Sequence, residues 1–208
     1  GEFLRKKIKN GRAVILNNKC HRLSKPCAVG EGLRTKVNAN LGTSSDGPNL
    51  ARELEKLDVA IACGADAVMD LSTGGDLAAV RRAMIERSSV PLGTVPIYEV
   101  AVRAQKEKGN LAQFGIGEIM EVLQSQAEDG VDFFTIHAGV TQKSLAALKK
   151  QKRLLDIVSR GGAMLANWIA RHKKENPFYE HYDRILELAY QYDITLSLGD
   201  GLRPGSVL

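Results

Sequence analysis

Three short stretches of this chain carry residues whose types and spacing could do chemistry. His137 stands in Thr135–Val140 (TIHAGV), just past an apolar run. An imidazole there can act as a general acid or as a donor to a substrate; the bland alternative is a buried histidine satisfied by a neighbouring carbonyl. Ser159-Arg160-Gly161-Gly162 sits where a strand pattern hands over to a helix pattern. It offers backbone N–H groups, a hydroxyl and a guanidinium to an anion, so phosphate or carboxylate binding is the reading, against a helix cap with a salt-bridged arginine. Gly199-Asp200-Gly201-Leu202-Arg203 follows Thr195–Leu198 and delivers an acid, two permissive glycines and an arginine to one loop. Its acid could hold a ribose hydroxyl or a substrate amine. Ser72–Asp76 is glycine-rich, but tight turns need glycine anyway. His172 and His181 fall in polar helical stretches and read as surface residues, while Met69 and Tyr98 read as core. There is no G-x-G-x-x-G, no phosphate-binding Walker loop and no nucleophile elbow.

The elements that must position these residues alternate. Ala13–Leu16 reads as a short strand and Pro26–Gly32 as a turn-rich approach to the main domain. From Arg34 the alternation is regular. Thr35–Leu41 reads as a strand, and Leu50, Leu54, Leu57 and Ile61 recur at helical spacing up to Gly64. Ala67–Leu71 is a strand, Asp76 caps a helix with Leu77, Val80 and Met84, and Val90–Pro96 is a strand interrupted by glycine. Arg103–Gly109 reads as a charged linker, and Ile116, Ile119, Leu123 and Ala127 as a helix ending at Gly130. Phe133–His137 is a strand, followed by a short helix around Ser144–Lys150 and a further strand at Leu155–Val158. Met164, Leu165, Trp168 and Ile169 mark the next helix; after the break at Glu175–Pro177, Tyr182, Ile185, Leu186 and Ala189 mark the last one before the strand at Thr195.

An internal repeat runs through this order. Gly64-Ala-Asp66, Gly130-Val-Asp132 and Gln191-Tyr-Asp193 each end a helix and start a strand, giving units of roughly 32 residues, the size of a βα repeat. Strand–helix alternation means parallel strands, and about six units fit. A doubly wound sheet and a (β/α)8 barrel are the two homes for such a run. Polar or special residues stand at the end of every strand: Asn40, Asp70 with Ser72, Tyr98, His137, Arg160 and Asp200. Barrels collect function from many strand ends, whereas open sheets concentrate it at one crevice. The expectation is therefore α/β, a (β/α)8 TIM-type barrel of which this chain carries about six units. Residues 1–33 form an N-terminal segment and residues 34–208 a partial barrel holding the substrate.

Composition narrows the partners. The 208 residues are 44% hydrophobic and 25% charged, ordinary values for a folded domain. No apolar run approaches the roughly 20 residues of a membrane helix, and the N-terminus lacks a signal peptide's shape. The reading is a soluble, cytoplasmic protein without membrane partners. The net charge of +5 is dispersed and only 5% of residues are aromatic, with no stacking platform for bases, so nucleic acid is not expected. The basic balance fits an anionic small molecule. Cys20, Cys27 and Cys63 are too spread for a metal knuckle even with His21, and Cys63 in the run Val59–Cys63 reads as core. No metal-ligating set is expected in this chain. The residues alone stop at a barrel enzyme acting on a small phosphorylated molecule.

Longer motifs carry further. KVNANLGTSSD, GADAVMDLSTGGD, VPLGTVPIY, VDFFTIHAGV, IVSRGG, KENPFYEHYD and TLSLGDGLRPGS run in order from Arg34 to Ser206. Together they resemble the phosphomethylpyrimidine synthase family of thiamine biosynthesis. That resemblance implies a radical S-adenosylmethionine lyase that rearranges aminoimidazole ribotide into hydroxymethylpyrimidine phosphate on a barrel. It implies substrate contacts from Asn40, Met69, Tyr98 and His137, from Ser159, Arg160 and Gly161, and from Asp200, Gly201, Leu202 and Arg203; the catalytic residues themselves stay unassigned. It also implies a homodimer, a [4Fe–4S] cluster, S-adenosylmethionine and a Zn or Fe ion. In the family the ligands for these follow the DGLRPG run, so the chain ending at Leu208 is expected to be an inactive substrate-binding fragment. A related group, 5-hydroxybenzimidazole synthase, uses the same substrate for the lower ligand of a cobamide. Glu99, where glutamine is expected in the thiamine enzymes, and the short GTSSD loop leave that product as an alternative. A third reading, from another class, is a ligand-binding module without catalysis.

Overall fold

The computed structural model describes residues 1–151 and 153–206. Lys152, Val207 and Leu208 lie outside them, the last two at the end of the expected domain. The chain opens with helix α1 (Glu2–Lys9) and an antiparallel hairpin of β1 (Ala13–Leu16) and β2 (Cys27–Gly30), with Ala13 opposite Gly30. The turn-rich approach expected at Pro26–Gly32 thus contains a strand. Four residues with one buried side chain give too little alternation to read from sequence.

A regular βα order follows: β3 (Asn38–Leu41), α2 (Leu50–Ala62), β4 (Ala67–Asp70), α3 (Leu77–Arg87) and β5 (Leu92–Thr94). Next come α4 (Pro96–Lys108), α5 (Ile116–Asp129), β6 (Phe133–Ile136), α6 (Gln142–Leu148), α7 (Arg160–His172), α8 (Pro177–Glu180), α9 (Tyr182–Tyr192) and β7 (Thr195–Leu198). The strands form one sheet in the order β3-β4-β5-β6-β7. Pairings β3–β4, β4–β5 and β5–β6 are parallel. Two bonds, from Thr195 N–H to Asp132 O and from Gly199 N–H to Ile136 O, advance four residues on both strands and continue the parallel ladder into β7. The strand order follows the sequence with no reversal.

Two expectations fail. Leu155–Val158 is not a strand: it has no regular structure, and its Leu155 and Val158 are exposed, so β-branched composition there lacked a sheet to join. Arg103–Gly109 is not a linker but the second half of α4, which ends in a left-handed Gly109. Lys106, Glu107 and Lys108 are exposed on that helix, while half-buried Arg103 donates to the buried Glu99 at 3.0 Å.

The chain divides into two compact units. The first comprises residues 1–94, 125–134 and 189–195; the second comprises 95–124, 135–188 and the described residues from 196. The first unit's core is Leu57, Val68, Met84, Leu92, Val131 and Phe134, and the second's is Ile97, Ile119, Leu123, Ile136, Leu165, Phe178 and Ile185, all essentially without exposure. In the first unit Gly93 interrupts β5 because a Cβ there would lie 2.1 Å from the Phe133 ring.

The Gly-x-Asp repeat has a physical reason. Gly64 and Gly130 take φ of +93° and +103° after their helices, a conformation that disfavours other residues. Each aspartate then pins a strand start: Asp66 accepts from Val37 N–H at 2.9 Å and Asp132 from Leu92 N–H at 2.8 Å. In return Asp66 N–H donates to Val37 O and Asp132 N–H to Leu92 O. One carboxylate at each of these two junctions thus fixes the register with the preceding strand.

Candidate functional site

In the second unit the sequence-predicted residues converge on one imidazole. His137 follows β6 directly and is buried. Its backbone carbonyl accepts from Asn176 Nδ2 at 3.0 Å, and the same amide donates to Val140 O at 2.9 Å. Asn176 is fully buried and caps α8 through Phe178 N–H, so the expected break at Glu175–Pro177 doubles as the bracket for the TIHAGV turn.

Three glycines close around this ring and its loop. A Cβ on Gly161 would lie 2.4 Å from Cε1 and 2.7 Å from Nδ1 of His137, and one on Gly199 would lie 2.8 Å from both Cδ2 and Nε2. On Gly201 it would lie 2.3 Å from a Val140 methyl, and on neighbouring Gly162 it would meet Gly201 O at 1.7 Å. None of these four has a positive φ. They are therefore glycine for space, not for conformational freedom, which corrects the reading of the Gly199–Gly201 glycines as permissive turn residues.

Ser159 is the buried N-cap of α7, its Oγ accepting from Gly162 N–H at 3.2 Å. The first-turn N–H groups of Arg160 and Gly161 have no intrahelical acceptor by the geometry of any α-helix, and the helix dipole makes that end attractive to an anion. Arg160 is exposed, with its guanidinium carbon 5.1 Å from the centre of the half-buried Tyr98 ring. The salt-bridged arginine of the bland alternative is therefore a cation on an aromatic face. Asp200 and Arg203 form an exposed ion pair at 3.0 Å, and Leu202 O accepts from Arg153 at 2.6 Å.

The charges tune one another. Burial pushes the His137 imidazole below its ordinary value; nearby Asp200 opposes this and Arg203 adds to it. Burial raises the Tyr98 phenol against the pull of Arg160 and Arg203. Burial thus favours the neutral form of the His137 ring.

Asn40 and Met69 belong to the first unit, where they are register partners on β3 and β4. Asn40 is exposed and accepts from Asn38 Nδ2 at 3.0 Å. Met69 is half-buried against Leu16, Ala67 and Phe133. After β4, Asp70 is buried and its carboxyl is pushed up by burial, against two hydrogen bonds from Ser72. It fastens the Ser72–Asp76 loop, and Thr43 bonds that loop through Ser72 Oγ and Gly74 O.

Other sequence readings change. His172 is not a free surface residue: it stacks on Trp168 with ring centres 4.5 Å apart and bonds Ala112 O at 2.8 Å. Cys63 is exposed at the end of α2 rather than core. The residues that sequence reasoning missed are Asn176 and Val140, while Gly162, read as part of the anion-binding turn, also makes room for Gly201 O. Only the Asn-Pro step before a helix signals Asn176, and that signal says cap, not bracket.

A family model described as the radical SAM ThiC family matches residues 1–208. The chain belongs to that family. Curated relatives agree. Phosphomethylpyrimidine synthase of Thermodesulfovibrio yellowstonii is 57% identical over 204 residues, covering 98% of this chain and 48% of the relative. Those of Moorella thermoacetica and Thermotoga petrophila are 56% and 53% identical, covering 98% and 100% of this chain but 47% and 49% of theirs. The chain thus spans about half the length of the relatives it matches.

The radical SAM label implies S-adenosylmethionine and an iron–sulfur cluster. Cys20 and Cys63 are exposed and Cys27 is buried, with burial raising its thiol. Among the described residues no three His, Cys, Asp or Glu are grouped to hold a metal, so these residues do not fit the cluster. Among them, too, no helix is long and apolar enough to cross a membrane.

Proposed function

We propose that this chain is the substrate-holding part of a phosphomethylpyrimidine synthase, which converts aminoimidazole ribotide to hydroxymethylpyrimidine phosphate in thiamine biosynthesis. The observation that carries the reading is the His137 cluster: a buried imidazole beside a helix start bearing Ser159, Arg160 and Gly161. In this reading the ribotide's phosphate sits on the first turn of α7 with Arg160, a site suited to a dianion. His137, Tyr98, Asp200, Gly201, Leu202 and Arg203 hold its ribose and base. These residues bind, orient and desolvate the substrate. Among the described residues no set of ligands suits a radical-generating cluster, so the role of this chain's residues is to hold the substrate.

Further parts of the proposal are a (β/α)8 barrel, supported by the unreversed strand order, a cytoplasmic location and a homodimer. The pyrimidine product is favoured over 5-hydroxybenzimidazole by relatives that bear the synthase name at 53–57% identity. Calorimetric titration of the protein with aminoimidazole ribotide tests the reading. Saturable binding that inorganic phosphate competes away is expected, and no binding would sink it. Anaerobic product analysis then separates pyrimidine from benzimidazole.

A further inference from the structure

The means by which His137 is held differ from those of an ordinary buried histidine. Among the described residues its Nδ1 is buried with no hydrogen-bond partner. Among the described residues nothing polar fixes the ring; its position is set by Gly161, where a Cβ would lie 2.4, 2.7 and 3.0 Å from Cε1, Nδ1 and Nε2, and by Gly199, where a Cβ would lie 2.8 Å from Cδ2 and Nε2. Neither glycine needs its freedom of φ. Gly199 also donates its N–H to Ile136 O, which seats it at the end of the β6–β7 ladder rather than in a loose loop.

A buried N–H without an acceptor is costlier than an unfilled lone pair. The lone pair therefore belongs on Nδ1 and the proton on Nε2, which is not among the buried unpartnered atoms. We propose that Gly199 is a positioning residue that, with Gly161, clamps His137 by shape so that the ring meets its ligand as a neutral Nε2–H donor. The imidazole is then neither a cation pairing with phosphate nor a base taking a proton. Its target is an uncharged acceptor, such as a ring nitrogen or a hydroxyl oxygen of the ligand, while charge recognition falls to Arg160 and the α7 start. Asp200 and Arg203, the charged groups acting on the ring, push its protonation in opposite directions. The inference rests on the reading that this cluster holds the ligand.

Nitrogen-15 spectra of the histidine side chains test it directly, because two-bond couplings separate the two neutral tautomers from imidazolium. The chain has four histidines, and His137→Gln identifies the resonance by its loss. At neutral pH, without ligand, the Nε2–H tautomer is expected; an Nδ1–H tautomer or a cation overturns the proposal. Gly199→Ala is expected to blur the tautomer signature and weaken aminoimidazole ribotide binding about tenfold, the scale of a sub-ångström misplacement, while retaining the unfolding transition. An unchanged signature and affinity in Gly199→Ala overturns the clamp. If the signature behaves as expected but the wild-type protein binds no ribotide, the clamp stands and the proposed function falls.

Discussion

His21 and His137 are both buried, and each has a ring nitrogen buried without a partner among the described residues. They are held by opposite means. His21 bonds Asp132 at 2.8 Å, and that fully buried carboxylate also accepts from Asn18 N–H at 2.9 Å and Leu92 N–H at 2.8 Å. Asn18 spends its amide on Ala127 O and Val131 O. Asp132 stands just before β6 and His137 just after it, so one strand separates a polar lock from a glycine clamp. A lock made of hydrogen bonds consumes the bonding capacity of the groups it fixes. A clamp made of shape fixes a ring and leaves its polar edge for something else.

The largest expected effect breaks the lock. Asp132→Ala strands three buried donors, His21, Asn18 N–H and Leu92 N–H, each costing about 1–3 kcal/mol when unsatisfied. A loss of at least about 3 kcal/mol in urea unfolding is expected, with the His137 nitrogen resonances unmoved. A loss under about 1 kcal/mol would mean that water or rearrangement satisfies those donors, and the contrast with His137 would dissolve.

Next in size is Arg160→Gln. The guanidinium is exposed and rests on the Tyr98 ring, so stability should change by no more than about 0.5 kcal/mol. Ribotide affinity should fall about tenfold to a hundredfold, the worth of a charge-assisted bond to phosphate. Equal affinity for ribotide and for its dephosphorylated nucleoside in the wild type would remove the phosphate from this site. Gly161→Ala follows: overpacking against the imidazole should cost about 1–3 kcal/mol and weaken ribotide binding as well. If its whole effect is on stability, Gly161 is packing and not part of the clamp.

Much of this was legible in the chain. The helix-capping Asp76 and Ser159, the starts of β4, β6 and β7, and the Gly-x-Asp junctions are local signals, and local signals survive folding. What was not legible depends on who the neighbour is. The glycines at 161, 199 and 201 look like turn residues in one dimension, because the sequence does not say whether a missing Cβ frees φ or makes room for a ring. His172 looked solvated because its partners, Trp168 aside, are sixty residues away at Ala112. Asp132 was visible only as a repeat unit, since its bonds to Asn18 and His21 cross more than a hundred residues.

The smallest effect is a slope with pH, and its sign follows from the clamp. Burial lowers the His137 value below that of the unfolded chain, about 6.5. Between those two values the unfolded chain binds more protons, so this group makes stability rise with pH through that window and contributes no slope above it. Asp70, raised by burial, works in the opposite sense from its own lower starting point: its folded form holds a proton that the unfolded form has lost, so its contribution falls as pH rises. A bare profile therefore mixes the two, and the difference between wild type and His137→Gln isolates the histidine. Unfolding free energies at about pH 5.5 and about pH 7.5 should show the variant gaining on wild type as the solution is acidified. A gap that does not change with pH would mean that the ring finds water or a counter-charge when protonated, and a site open enough for that cannot hold His137 as a neutral donor.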